Sequence, residues 1–419
     1  MNQTGKNPAR GWGETSAKGH GRRSVMAITL ALLAILLAIP GLSPVVQSAD
    51  KPVVIGLDAE FGHLSSTSAE AIRRGIMIAI EEINQAGGVL GGRPLELQTK
   101  DNRSVPARGV KNVTDFAQEP EVVAVFTGKF SPVVQEVVPV AQRLGIPILD
   151  PWAAADDIVD NGFSPNFIFR LSLRDQWAME AMLNHAEKQG LKKVGLMLPN
   201  TGWGRSSLRA AEKFLQGKPS PTLTTVQWYN WGDNSLARQY QSVLDAGSQV
   251  LILVANETEG SLLIKEVAAL PPDSRRPILS HWGVSGGQLA DMAGQALGQV
   301  DFLVVQTYSF IGANRPQAAQ VLSAAKRLFN IPDARKLDSP VGTAHAYDLT
   351  YILAKAIDLA GSTDRSKIRD ALEKVRNYNG LIKAYPAPFT PARHEALSLE
   401  DVFLARYESD GALVKAVAR

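Results

Sequence analysis

Residues 283 to 287, Gly-Val-Ser-Gly-Gly, fit the G-x-S-x-G pattern that surrounds the nucleophilic serine of many hydrolases. The run RPILSHW before them predicts a strand and GGQLADMAGQAL after them predicts a short helix, which is the context that this motif requires. Such a hydrolase also needs an acid and then a histidine after the serine. Several residues beyond Ser285 satisfy that order: Asp291, Asp301, Asp338, His345 and His394. Because any chain of this length offers such residues, three roles stay open for Ser285: catalysis, lining of a binding cleft, or a plain turn.

The other residues with catalytic or metal-binding chemistry form no pattern that predicts a cofactor. The chain has no cysteine, and its six histidines lack the paired spacing of a metal site. The glycine-rich turn GGVLGG, residues 87 to 92, does not have the spacing of a nucleotide-binding loop. His345 lies on a predicted helix, where a packed or capping histidine is a simpler interpretation than a catalytic base. We therefore expect no metal and no cofactor.

Short apolar runs alternate with helical segments through most of the chain, which predicts parallel strands covered by helices. The first set contains the strands PVVIGLD, PLELQTKD, VVAVFTG and IPILD. Within it, SPVVQEVVPVAQRLG predicts a helix with Ser131 as its cap and Pro132 at the first helical position. A second set contains KVGLMLPN, TTVQWYN, QVLILVAN, RPILSHW and FLVVQTY. Two such sets predict two doubly wound α/β domains.

The last part of the chain departs from this alternation. GTAHAYDLTYILAKAIDLAG predicts a long amphipathic helix and RSKIRDALEKV a second one. VFLARYES then predicts a strand that ends at an Asp410-Gly411 turn.

The first 49 residues predict an export signal. Arg22 and Arg23 precede an apolar stretch from Val25 to Ile39, and helix-breaking and small residues follow it. About 15 apolar residues are fewer than the roughly 20 that span a bilayer, so we expect cleavage near Ala49 rather than a permanent anchor. This leader holds five of the 44 basic and one of the 41 acidic residues, which leaves 39 against 40 and a formal charge of −1. The sequence pI near 8.9 is therefore no argument for nucleic acid binding.

Four stretches of the mature chain form a series that is specific when taken together: GIMIAIEEINQAGGVLGGRPLELQTKDNRS, GKFSPVVQEVVPVAQRLGIPILDP, KVGLMLPNTGWGRSS and HAYDLTYILAKAI. Their order and approximate spacing resemble the periplasmic solute-binding proteins of ABC importers, in the group that takes branched-chain amino acids and amides. The resemblance covers essentially the whole mature chain.

This resemblance implies the type I periplasmic binding protein fold, with two doubly wound αβα lobes joined by three hinge crossings and a solute held in the cleft between them. Lobe 1 would take residues 50–170 and 308–402, and lobe 2 would take residues 171–307 and 403–419. The crossings would fall near Leu171, Tyr308 and Val402.

The resemblance also implies where a solute carboxylate would be held. In this family one loop grips it with backbone N–H groups and a hydroxyl, and the match here is GKFSP. Ser131 begins a helix whose N-terminus favours an anion, and Lys129 could add a full charge. The second carboxylate-gripping loop matches LDPWAAADD, where Ala153, Ala154 and Ala155 offer backbone groups only.

Three tryptophans fall on loops that should face one cleft, whereas Trp228 and Trp231 are expected to be structural. Trp152 lies in the LDPWAAADD loop, Trp203 lies where relatives carry an aromatic lid, and Trp282 lies where amino-acid-binding relatives have an acid for the ligand ammonium. Large flat apolar walls suit an aromatic or bulky apolar solute with one anionic end. An α-amino acid stays possible if another carboxylate replaces the missing acid, and four are candidates: Asp58, Glu60, Glu257 and Glu259.

The resemblance therefore implies an exported, non-enzymatic, monomeric receptor that captures a small carboxylate-bearing solute and delivers it to an inner-membrane ABC permease. An aromatic or apolar carboxylate is expected ahead of a branched-chain amino acid. Two alternatives stay open at this point: a secreted serine hydrolase that uses Ser285, and a ligand sensor of the same fold.

Overall fold

The computed structural model describes residues 51 to 416, so the predicted export signal lies outside the described residues. The first sheet has five parallel strands in the order β2-β1-β3-β4-β5. Its strands are β1 (Val53–Ala59), β2 (Leu95–Asp101), β3 (Val122–Thr127), β4 (Ile148–Asp150) and β5 (Ile168–Arg170). The helices between them are α1 (Ser68–Gln85), α2 (Pro106–Gln118) and α3 (Ser131–Leu144).

The second sheet has seven strands, of which the two last in the chain are antiparallel to their neighbours. Five are parallel: β6 (Lys193–Pro199), β7 (Thr222–Tyr229), β8 (Val250–Leu253), β9 (Ile278–Ser280) and β10 (Phe302–Gln306). Five helices accompany them: α4 (Asp175–Lys188), α5 (Gly202–Leu215), α6 (Ala237–Asp245), α7 (Glu257–Ala268) and α8 (Leu289–Ala293).

The rest of the chain serves both sheets. Three helices follow β10, namely α9 (Pro316–Phe329), α10 (Pro340–Ala360) and α11 (Arg365–Leu372), and α10 packs along α1. Two short strands, β11 (Tyr378–Asn379) and β12 (Ala384–Tyr385), form a separate hairpin. The last two strands, β13 (Phe403–Tyr407) and β14 (Leu413–Lys415), complete the second sheet in the order β14-β13-β10-β9-β8-β6-β7.

The two predicted doubly wound units are thus present, and we use lobe 1 and lobe 2 for the elements around the first and second sheets. The chain leaves lobe 1 after β5, returns after β10, and enters lobe 2 again at β13. The residue bounds given above for the lobes stay a prediction. Strands β1, β3 and β8 are buried along their whole length because helices cover both faces, which explains their continuous apolar sequences.

Local differences from the prediction have simple causes. The helix predicted after Ser285 is broken into α8 and a 3₁₀ turn over Gly294–Gln299, because Gly294 adopts a positive φ of 57°. Helix α9 and strand β14 did not appear in the prediction. Among residues 51 to 416, no helix is long and apolar enough to cross a membrane.

Candidate functional site

The loops that follow strands of both sheets meet at one buried cavity between the lobes. This is the position expected for a ligand in open α/β sheets, where the carboxyl ends of parallel strands form the binding crevice. Lobe 1 lines the cavity with Lys129, Phe130, Ser131, Trp152 and Ala154. Lobe 2 lines it with Trp203, Trp231, Asn256, Trp282 and Gly283. The space between these residues is about 260 Å³.

Aromatic side chains fill most of this cavity and meet across the cleft. The rings of Trp152 and Trp282 are 5.3 Å apart, tilted by 40°. Phe130 meets Trp231 edge to face at 5.4 Å. Each pair joins one residue of lobe 1 to one of lobe 2, so both pairs must separate when the lobes open. Ring distances in this range are favourable for aromatic pairs.

Trp203 is held in place by a buried acid and a histidine. Its indole N–H donates to Asp175 Oδ1 at 3.1 Å, and its ring lies edge-on to His281 at 5.0 Å. Asp175 and His281 are both fully buried, and their closest side-chain atoms are 3.1 Å apart. A tryptophan fixed at its polar end presents its apolar face to the cavity in one orientation, which suits a wall of a binding site.

Ser131 does not cap its helix as predicted, because it lies inside the first turn of α3 and Phe130 occupies the cap position. Its Oγ instead accepts the backbone N–H groups of Ala154 at 3.2 Å and Ala155 at 3.3 Å. A hydroxyl has two acceptor lone pairs and one hydrogen. With both lone pairs used, the remaining O–H group is a donor available to an anion in the cavity.

The loop that carries Trp152 is fixed from behind by a buried arginine. Arg170, at the end of β5, donates to the carbonyl oxygens of Ala153 at 3.1 Å and Ala155 at 2.8 Å, and to Glu395 Oε2 at 2.9 Å. Ala153 and Ala155, both expected to contact the solute, therefore turn their carbonyl groups away from the cavity. Only Ala154 of this run lines it.

A second fixed point of the same loop is Asp150, the last residue of β4. Its Oδ1 accepts the backbone N–H groups of Trp152 at 3.0 Å and Ala153 at 2.7 Å, whereas its Oδ2 is buried without a partner among the described residues. Burial raises the pKa of this carboxyl group to about 7. The loop is thus held by its N–H groups at one side and by its carbonyl groups at the other.

Lys129 and Glu257 pair with each other across the lobes. Lys129 Nζ donates to Glu257 Oε2 at 2.6 Å and to the Gly286 carbonyl oxygen at 3.1 Å. Glu257 Oε1 accepts from the Ser65 hydroxyl at 2.8 Å. Both charged side chains are at most 1% exposed. The charge predicted to meet a solute carboxylate and the acid proposed for a solute ammonium therefore neutralise each other.

The other three carboxylates considered for a solute ammonium also have partners within the protein. Asp58 accepts from two asparagine side chains, and burial raises its pKa to about 6. Glu60 accepts from the backbone N–H of Lys129 and from two serine hydroxyls. Glu259 accepts from the Gly232 N–H at 3.2 Å, and burial raises its pKa. None of them lines the cavity between the tryptophans.

Ser285 has the hydrogen bonds of a structural serine. Its Oγ donates to the Trp282 carbonyl oxygen at 2.7 Å and accepts from Gln306 Nε2 at 3.0 Å, and neither group can act as a base. His345 Nε2 pairs instead with Thr307 Oγ1, and burial lowers the pKa of this histidine to about 4. The geometry therefore provides no base for Ser285, which also lies outside the tryptophan-lined cavity.

The glycines of the same motif are explained by close packing. A Cβ on Gly283 would lie 2.5 Å from the Trp203 ring and 2.5 Å from the Ala255 carbonyl oxygen. A Cβ on Gly287 would lie 2.2 Å from the carbonyl oxygen of Ser65 in lobe 1. Both glycines let backbone approach neighbouring groups around the cleft, which is a packing role and not a catalytic one.

The cavity thus brings together five of the nine predicted site residues: Ser131, Lys129, Trp152, Trp203 and Trp282. Ala153, Ala155, Glu257 and Ser285 lie behind them, held by the contacts described above. The sequence analysis gave Trp231 a structural role and did not select Phe130 or Asn256, yet all three line the cavity. A signal was available for two of them, since Trp231 follows β7 and Asn256 follows β8 at the carboxyl ends of their strands. No cluster of three or more potential metal ligands occurs among residues 51 to 416.

Two doubly wound lobes that close over a buried cavity at the ends of their strands define a solute-binding protein. The family model described as periplasmic binding protein matches residues 52 to 412, so the chain belongs to that family. Among curated relatives, the leucine-, isoleucine-, valine-, threonine- and alanine-binding protein of Pseudomonas aeruginosa is 24% identical over 321 residues, or 76% of this chain and 79% of that protein.

Solved structures share the same fold. A periplasmic binding protein type 1 from Bordetella pertussis Tohama I superposes with a TM-score of 0.77 at 22% identity, covering 87% of this chain and all of that one. A solute-binding protein of an ABC transporter from R. palustris, in complex with 4-hydroxybenzoate, has a TM-score of 0.71 at 17% identity and covers 88% of this chain and 96% of its own.

Proposed function

We propose that this protein is the solute-binding component of an ABC importer and that its solute is an aromatic or bulky apolar carboxylate. The observation that carries the proposal is the convergence of four tryptophans and the free Ser131 hydroxyl on one interlobe cavity. Proteins of this fold include one named for five amino acids and one solved with 4-hydroxybenzoate. The chemistry of the cavity must therefore decide between these ligand types.

The carboxylate is supported by the chemistry around Ser131. The hydroxyl can donate because its lone pairs are occupied, and the N-terminus of α3, a helix of 14 residues, carries partial positive charge at the same place. The balanced Lys129–Glu257 pair leaves no net charge there to oppose an anion.

The aromatic or apolar body is supported by the cavity walls. Trp152 and Trp282 touch across the cleft at a tilt, and an aromatic ring inserted between them would replace one tilted contact by two stacked ones. An α-ammonium group, by contrast, would find no carboxylate on the cavity wall, since the four candidate acids all bind groups of the protein. This contrast favours an aromatic acid over leucine or valine.

The experiment is thermal unfolding of residues 50–419 with benzoate-type acids, aliphatic acids, amides and amino acids. A ligand at 100 times its dissociation constant adds about 2.7 kcal/mol of stability. We expect stabilisation by aromatic acids and little by leucine or valine. Stabilisation by amino acids alone would refute the ligand class, and stabilisation by no member of the panel would refute the receptor assignment.

Two tryptophan variants test the site itself. Trp203→Ala removes a cavity wall and should weaken aromatic acid binding about 30-fold, the level of a buried binding hot spot. Trp177→Ala is the matched control, because Trp177 is only partly buried and lies beside Arg174, outside the cavity. Equal binding by the two variants would contradict the placement of the solute.

Delivery to a permease and export complete the proposal. We infer that residues 1–49 are removed on export, that the mature protein acts as a monomer in the periplasm, and that an inner-membrane permease recognises its closed form. Deletion of the gene for this protein should abolish uptake of the same labelled aromatic acid, and a plasmid copy should restore it. Uptake that survives loss of this protein would contradict the transport role.

A further inference from the structure

The side chain of Asn256 does not make the hydrogen bond that is usual for an asparagine at the start of a helix. It occupies the cap position of α7, where an asparagine side chain ordinarily accepts a backbone N–H of the first turn, but it makes no such bond. The side chain has no hydrogen-bond partner among residues 51 to 416, although the residue is only 7% exposed. It faces the cavity instead, as part of the lobe 2 wall.

A second unpaired polar group lies on the same wall. The indole N–H of Trp231 is buried and donates to no acceptor in the described part of the chain, and Trp231 lines the same cavity. Buried polar groups in folded proteins nearly always have partners, so the unpaired Trp231 N–H, on the same wall as an Asn256 amide that makes no cap bond, points to a ligand that supplies a partner. An amide offers two donors and an acceptor, and an indole offers one donor.

We propose that Asn256 is a specificity-determining residue and that the solute carries a neutral hydrogen-bonding group, such as a hydroxyl or carbonyl, at the end that faces lobe 2. This rests on the proposed function, since it adds a second recognised end to the aromatic or apolar carboxylate. A neutral group fits because the amide is uncharged and the nearest acid along the chain, Glu257, is already paired with Lys129. An ammonium group would find no counter-charge here.

This arrangement also couples recognition to closure. Ser131 follows β3 in lobe 1 and Asn256 follows β8 in lobe 2. A solute with a carboxylate at one end and a hydroxyl at the other would bond to both lobes only when they are closed. Because a ligand shifts a conformational equilibrium only through its preference for one state, such a solute would favour closure more than its unsubstituted parent.

The test compares benzoate with its 3-hydroxy and 4-hydroxy derivatives and with the matching methyl derivatives, by titration calorimetry on the mature protein. One hydroxy derivative should bind about tenfold more tightly than benzoate and than its methyl counterpart, as expected for one buried neutral hydrogen bond. In Asn256→Leu and in the smaller Asn256→Ala this preference should disappear, so that the hydroxy derivative, its methyl counterpart and benzoate bind with similar affinity. Thermal melts establish that each variant is folded.

Asn200→Leu is the matched control. Asn200 also follows a strand of the lobe 2 sheet, but it is exposed and bonds to Asn230 at 3.4 Å. It should keep the preference of the wild type for the hydroxy derivative.

The outcomes separate this inference from the proposed function. If aromatic acids bind without preferring a hydroxyl group, or if the preference survives in both Asn256 variants, the role of Asn256 is refuted while the ligand class stands. If no aromatic or apolar carboxylate binds to the wild type, the proposed ligand class is refuted, and the assignment of Asn256 fails with it.

Discussion

Removal of the Lys129 charge should open the cleft. Lys129→Met keeps the length and apolar stem of the side chain but leaves the buried Glu257 carboxylate with the Ser65 hydroxyl as its remaining partner. Breaking one half of a buried ion pair costs about 3–5 kcal/mol, because an uncompensated charge stays buried. Here the cost can be relieved without unfolding, since the two residues lie on different lobes and opening returns Glu257 to water.

The expected change in the closed population follows from this cost of about 3–5 kcal/mol. At 1.4 kcal/mol for each factor of ten, the closed population relative to the open one should fall by about 10²-fold to 4 × 10³-fold. Ligand affinity should fall by a similar factor when closure is needed for tight binding. Small-angle X-ray scattering at saturating ligand should then show a larger radius of gyration for Lys129→Met than for the wild type.

Two further variants make the interpretation specific. Lys129→Met with Glu257→Met replaces the pair by apolar side chains and should recover most of the closed population, since such replacements are often neutral or stabilising. Lys111→Met is the matched control, because Lys111 is 72% exposed in its pair with Asp115 on the surface of α2. The reasoning is wrong if Lys129→Met scatters like the wild type and binds ligand within about threefold of it.

Two other predictions concern the loop that carries Trp152. Arg170→Met should lower the free energy of unfolding by about 3 kcal/mol, the lower end of the cost of breaking a buried pair, because the buried Glu395 loses its closest partner and keeps only Arg174 at 3.7 Å. Urea denaturation measures this, and Arg327→Met, at an exposed pair, should change little. Asp150→Asn keeps the acceptor for both backbone N–H groups and cannot ionise. The pKa of Asp150 is raised from 3.8 to about 7, so its contribution to stability is fully present below about pH 3.8 and is lost as the pH rises through about 7. The variant should therefore gain stability relative to the wild type between about pH 4 and 7, and parallel stability curves for the two proteins would contradict the raised pKa.

Much of the fold could be predicted because it rests on local patterns. The alternation of apolar runs and helical segments located the parallel strands of both sheets, and the rule that ligands bind at their carboxyl ends directed attention to the loops that line the interlobe cavity. Trp152, Trp203 and Trp282 were selected by this rule together with the family resemblance. Trp231 could have been selected by the rule alone, because it lies two residues beyond the end of β7.

The hydrogen-bond and ion-pair partners of the polar residues could not be predicted, because residues far apart in the sequence come together only when the two lobes are closed. Lys129 and Glu257 are 128 residues apart in sequence and lie on different lobes, so no spacing links them. Ser131 has the residue type and the sequence position of a helix cap. Its oxygen instead accepts hydrogen bonds from N–H groups of the loop that follows β4. A sequence shows which side chains reach the cleft, but it does not show which of them satisfy each other there.

This distinction bears on how selectivity arises in the cleft. A charged side chain that is paired within the closed protein no longer selects for an opposite charge on the ligand, whereas a neutral side chain left without a partner selects for a hydrogen-bonding group. By that criterion Lys129 and Glu257 stabilise closure. The Ser131 hydroxyl, the Asn256 amide and the Trp231 indole N–H are the polar groups of the cavity wall left to discriminate among solutes. The chemistry that selects the ligand is therefore the part of the cleft that the protein itself leaves unsatisfied.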